Sequence, residues 1–176
     1  MQYRRANTKG GTYFFTVNLA ERNKTLLTDH IDDLRNAFKN VKATHPMIID
    51  AIVVLPDHLH AIWTLPGNDA DFSTRWRLIK SCFSQSVPRI ERVTSSRKSK
   101  GERGVWQRRF WEHQIRDDAD YQAHMDYIYY NPVKHGYVKN VVEWPYSSFH
   151  RDLNKGKYTK FWGGDTEIEF RAGELE

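Results

Sequence analysis

Two short apolar runs, residues 47–55 and 58–65, are separated only by Pro56-Asp57. Proline presets φ for the first corner of a β-turn and an Asp side chain bonds back to the turn backbone, so the pair is expected as a hairpin of antiparallel strands. A hairpin this apolar needs further strands and a covering layer, and the rest of the chain supplies both. Residues 12–19, opened by Gly10-Gly11, are aromatic and β-branched and read as a strand, as do 106–115. Ile31, Leu34, Phe38 and Val41 recur at helical spacing and predict a helix over 30–44. Asp71 or Ser73 can cap a second helix to about residue 85, with Trp76, Ile79 and Phe83 inward and Arg75, Arg77 and Lys80 outward. Asp117-Asp118 starts a third helix, which Asn131-Pro132 is expected to end. The order strand, helix, strand, strand, helix, strand, helix predicts an α+β, ferredoxin-like domain, an antiparallel sheet with helices mainly on one face.

Length and composition fit one packed domain: 176 residues, 39% hydrophobic and 14% aromatic. The formal charge of +5 and pI near 9.3 favour an anionic partner, nucleic acid above all. Cys82 is the single cysteine, which excludes an internal disulfide and any cysteine-based zinc cage and fits a reducing compartment. With no run long enough to span a bilayer and no apolar core after the N-terminal residues, a cytoplasmic protein is expected. We expect one domain over 1–151, with a basic linker at 87–104, followed by a mobile tail at 152–176. Residues 86–110 carry eight basic against two acidic side chains, a net of +6, whereas 165–176 carry five acids against Arg171.

A strand sends alternate side chains to one face, so His58 and His60 are expected to point together while Leu59 enters the core. That is bidentate metal geometry, although two half-exposed histidines at a sheet edge would show the same spacing. Tyr127 and Asn131 are four apart and share a face of the third helix, joining a nucleophile to an amide oxygen that a hard divalent cation accepts. Two imidazoles plus oxygen ligands suit Mn2+, while Mg2+ prefers more oxygens; either ion would keep positions open for a phosphate undergoing in-line attack. A phenol with pKa near 10 needs help to ionise at neutral pH. Lys134, His135, His124 and His113 are the candidates, unranked by sequence. Tyr121, Tyr129 and Tyr130 compete with Tyr127, and only Tyr127 matches Asn131. Arg4, Arg5, Arg75, Arg77, Lys80, Arg108, Arg109 and Lys134 are expected to contact DNA phosphates. Trp106, Phe110 and Trp111 could stack unpaired bases, but the packed reading is the commoner one.

The chain resembles the transposases associated with repetitive extragenic palindromes, a branch of the single-tyrosine HUH transposases. The likeness runs through Gly10-Gly11-Thr12-Tyr13-Phe14-Phe15-Thr16-Val17-Asn18-Leu19, Val54-Leu55-Pro56-Asp57-His58-Leu59-His60-Ala61-Ile62-Trp63, Phe110-Trp111-Glu112-His113, 126–136 and 144–150. The resemblance implies a ferredoxin-like HUH domain that binds a DNA hairpin (palindromic repeat), cleaves adjacent single-stranded DNA and becomes linked to the 5′ phosphate. By matching positions it makes His58 and His60 metal ligands, Asn131 the third ligand and Tyr127 the nucleophile, with a divalent metal (Mg2+ or Mn2+) as cofactor and a monomer as the acting species. The longer basic linker and the acidic end lie outside the likeness. Two other readings fit parts of the sequence: a hairpin-binding protein without cleavage, and an HUH replication initiator or relaxase.

Overall fold

The computed structural model describes residues 7–164. Four antiparallel strands form one sheet in the order β2-β3-β1-β4, with β1 at Thr12–Asn18, β2 at Ile48–Val54, β3 at His58–Thr64 and β4 at Trp111–Gln114. Strands β2 and β3 are the expected hairpin, and Leu55 N bonds His58 O at 2.8 Å across the Pro56-Asp57 turn. A four-residue turn of helix, α1 (Leu26–Asp29), precedes α2 at Ile31–Thr44, and α3 spans Phe72–Ser86. Asp71 caps α3, its carboxylate accepting from Thr74 N at 2.9 Å. Strands β1 to β4 with α2 and α3 make the βαββαβ order of a ferredoxin-like fold.

Alternation along the central strands splits the interior in two. Tyr13, Phe15, Val17, Leu59, Ala61 and Trp63 face α2 and α3, where Trp63 stacks on Trp76 at 4.2 Å. Phe14, Ala51, Val53 and Ile62 face the opposite way, against α5 (Asp118–Lys134) and α6 (Phe149–Asn154). Each such aromatic contributes on the order of 2–3 kcal/mol by burial. The helices therefore take both faces: the two of the βαββαβ unit lie together, and the third long helix covers the other side. Burial from both sides explains why β3 is buried at every position from His58 to Trp63.

Other expectations need adjustment. The strand forecast at 106–115 is regular only over Trp111–Gln114, with an isolated bridge from Trp106 to Leu19. Helix α5 runs through Pro132 to Lys134, because a proline in the last turn removes one amide and His135 N still reaches Asn131 O at 3.0 Å. Residues 87–104 are a folded strap containing a short helix, α4 (Ser95–Lys98). Arg103 staples the strap to α3, donating to the Ser84 carbonyl of that helix as well as to Glu91 and the Val87 and Pro88 carbonyls, while Arg97 donates to Trp106 O. The boundary at 151 falls inside α6, and packing continues through Tyr158 and Trp162, which lie against Phe149. Edge strand β2 is covered by residues 146–148, through Val54 N to Tyr146 O and Ser148 N to Ile52 O, both 2.8 Å. The acidic segment 165–176 lies outside the described residues.

Candidate active site

The register of β1 against β3 places His60 opposite Thr16 and His58 opposite Asn18. Both imidazoles emerge on the α5 side, their rings 5.0 Å apart at 85°. Each has its Nδ1 engaged: His60 with Thr16 Oγ1 at 2.9 Å, and His58 with Asp57 Oδ1 at 2.7 Å. Arg22 holds the other carboxylate oxygen of Asp57 and also donates to Asn18 Oδ1. Such outer partners fix ring orientation and leave Nε2 as the nitrogen that could coordinate a metal. Burial pushes the Asp57 carboxyl up, but His58 and Arg22 outweigh it and hold the group at about 2. Burial, followed by the nearby His58, His135 and Lys134 charges, drives the His60 imidazole well below its ordinary value, so it is neutral, as a metal ligand must be.

Helix α5 presents a stripe at four-residue spacing. Tyr127 lies with its ring 5.2 Å from His60, and His135, two turns on, lies 5.3 Å from His58. Asn131 falls midway on that stripe, opposite the pair. It is 0% exposed, and among the described residues neither its amide oxygen nor its nitrogen has a hydrogen-bond partner. An orphaned amide costs about 1–3 kcal/mol, so its retention facing two oriented imidazoles fits a third ligand. The residues present therefore fit a divalent ion bound by two imidazoles and an amide oxygen.

Two of the three competing tyrosines, Tyr129 and Tyr121, are structural. Tyr129 donates to buried Asp152 at 2.6 Å, and burial with that carboxylate pushes its phenol up. Tyr121 contacts Asp50, and burial first, then Asp50, pushes it up to about 12. The four candidates for assisting Tyr127 also separate. The Lys134 ammonium sits 5.0 Å from the Tyr127 ring centroid, and His135 stands beside His58. His113 and His124 lie beyond Phe14, whose ring touches His124, Tyr127 and His60. His113, Asp120 and His124 do form a second group whose donor atoms lie within 4.8 Å of one another, close enough to hold a metal ion.

The expected DNA contacts divide similarly. Arg4 and Arg5 lie outside the described residues. Arg75 does not point outward: it is 2% exposed, bonded to Asp69 and to the carbonyls of His45, Pro46 and Asp71, and ties α3 to the end of α2. Helical spacing alone could not separate Arg75 from the exposed Arg77. Arg77, Lys80 and Arg108 line a cleft of about 790 Å3 together with Arg89, Arg97 and Arg103. Arg109 is exposed nearby. Thr16 and Asp57 are orienting groups that the sequence alone does not single out; Asp57 reads there only as a turn residue, although a carboxylate directly before a candidate metal-binding histidine is itself a signal. Among the described residues no helix is long and apolar enough to cross a membrane.

No family model matches the chain. Individual relatives do. A REP-associated tyrosine transposase of Escherichia coli K12 is 51% identical over 173 residues, covering 98% of this chain and 96% of its own length. A Haemophilus influenzae relative assigned to the same group is 48% identical over 171 residues, 97% of each chain. A solved structure of a REP-associated tyrosine transposase bound to a REP hairpin superposes with a TM-score of 0.83 at 50% identity, covering 99% of this chain and 97% of that one. Near-complete coverage at half identity, on a fold that sets Tyr127 against the histidine pair, leaves one assignment: the chain belongs to the REP-associated tyrosine transposases.

Proposed function

We propose that this transposase binds a DNA hairpin of a palindromic repeat, cuts single-stranded DNA beside it through Tyr127, and rejoins the strand. The observation that carries the reading is the Tyr127 ring 5.2 Å from His60, with buried Asn131 one turn along the same helix face. His58, His60 and Asn131 would hold Mg2+ or Mn2+, which when bound polarises the scissile phosphate and neutralises its charge. The Tyr127 oxygen attacks phosphorus in line; the new bond joins tyrosine to the 5′ phosphate, and the bond to the 3′ oxygen breaks. The phenol proton is lost as the departing oxygen gains one, so the step is proton-neutral and leaves a 3′ hydroxyl. Lys134, poised over the Tyr127 ring, supplies a cation to a forming phenolate. Attack of a 3′ hydroxyl on the phosphotyrosine reverses the step without ATP, because the ester bond energy is kept.

The relative solved with a REP hairpin supports the substrate class. Basic side chains of the cleft beside α3 suit its phosphates. Because Tyr127 packs against His60 of its own sheet, one chain holds a whole site, which supports a monomer acting alone. The test is incubation with Mn2+ or Mg2+ and a labelled hairpin carrying single-stranded flanks, followed by denaturation. A covalent protein–DNA adduct is expected that is lost in Tyr127→Phe and with chelator. An adduct persisting in Tyr127→Phe would move the nucleophile elsewhere, and none at all would leave a hairpin-binding protein without cleavage.

A further inference from the structure

Of the three aromatics considered as base-stacking groups, two are spent inside the fold. Trp106 is buried, its Nε1 donating to Lys80 O at 3.2 Å, and Phe110 packs against Phe15, Phe72 and Trp76. Trp111 differs. It opens edge strand β4 and stays 38% exposed, although its register partner is Thr16, the residue that contacts His60. Successive residues thus mark the two sides of one edge: Phe110 lines the basic cleft, and Trp111 turns to the face of Tyr127.

The Trp111 indole also heads a column. It lies parallel to His113, at 5.9 Å and 5°, and His113 lies parallel to His124, at 4.7 Å and 15°. Asp120 holds both imidazoles, its carboxylate 2.8 Å from His113 Nε2 and its main-chain carbonyl 2.8 Å from His124 Nδ1, and Arg116 N donates to the same carboxylate at 2.9 Å. Imidazole lone pairs lie in the ring plane, so two rings stacked face to face do not aim at a common ion unless they rotate. As they stand they are the inner rungs of a stack. Phe14 wedges the column from the side, its ring 5.6 Å from Trp111 and 5.9 Å from Tyr127.

We infer that Trp111 is a stacking platform for one unpaired nucleobase of the strand that runs from the basic cleft round edge strand β4 to Tyr127. This deepens the proposed function and rests on it. A nucleobase offers the parallel π face that an exposed indole at the end of a column fits, and stacking is tolerant of base identity. Exposed Arg109, two residues earlier, and cleft-lining Arg108 offer charge for the adjoining phosphates.

The test uses the full chain in chelator, so that DNA stays uncut, and a hairpin whose flanking nucleotides are replaced one at a time by an abasic site. Wild type is expected to show one position where the missing base weakens binding by about 5- to 100-fold. Trp111→Ala should bind the intact flanked hairpin that much more weakly and lose the position dependence, with Trp111→Phe between them, while all three bind a hairpin without flanks equally. 2-Aminopurine at that position should be quenched by wild type and not by Trp111→Ala. A position profile unchanged in Trp111→Ala, or an equal loss on the flankless hairpin, overturns the platform. If the Tyr127 adduct forms while the profile is unchanged, only the platform falls; if neither adduct nor hairpin binding is seen, the proposed function falls with it.

Discussion

Single groups in this molecule owe their state to their neighbours, and Asp120 shows it most simply. Burial pushes its carboxyl up, yet His113 and the Arg116 amide and guanidinium outweigh that and hold it at about 2. A carboxylate whose folded pKa lies below its unfolded value stabilises the fold fully above the unfolded value, near 4, and loses that stabilisation as pH falls through about 2. Asp120→Asn, which keeps size and can still accept a bond, should therefore be less stable than wild type at neutral pH, with the difference shrinking as pH falls from about 4 to 2. Urea unfolding followed across that window measures it, and a gap of constant size would show that the charge is not what matters. The same carboxylate orients His113, the ring directly under Trp111, so it serves both stability and the shape of the β4 edge.

At the scale of one element, α5 carries the chemistry. Its stripe of Tyr127, Asn131 and His135 faces the histidine pair, while Tyr129 and Ile128 anchor its other sides in the core. Asn131 is the unfavourable member, a buried amide with no partner among the described residues. Asn131→Ala removes that amide and raises helix propensity, two gains that offset a small cavity. Without metal its melting temperature should match or exceed that of wild type, and the rise in melting temperature that Mn2+ gives wild type should shrink or vanish. Thermal melts with and without Mn2+ decide this; a metal-free variant that melts far lower would make Asn131 a structural residue instead.

Across the whole molecule the charges divide into those that build and those that reach out. Arg75 builds: Arg75→Ala strands three carbonyls and Asp69, and should cost about 3 kcal/mol of stability while leaving the salt dependence of hairpin binding unchanged. Arg77, two residues on, lines the cleft: Arg77→Ala should change stability by no more than about 0.5 kcal/mol and lower the salt slope by about one phosphate contact. Binding titrations at several salt concentrations, beside denaturant melts of both variants, check the division. Identical behaviour of the two variants would refute it.

By itself the sequence determined the period and order of the elements, and with them the hairpin, the βαββαβ unit, the shared face of His58 and His60, and the pairing of Tyr127 with Asn131. Those properties are local, since strand alternation and helical spacing fix which side chains travel together. It did not determine that α5 crosses to the face opposite α2 and α3, that Arg75 turns inward while Arg77 does not, that the basic strap folds back on α3, or that Lys134 rather than His113 or His124 stands by the phenol. These were decided by tertiary packing: each depends on which apolar surface an element covers and which buried carbonyl or carboxylate is left needing a partner, and both are set only when segments far apart in sequence meet.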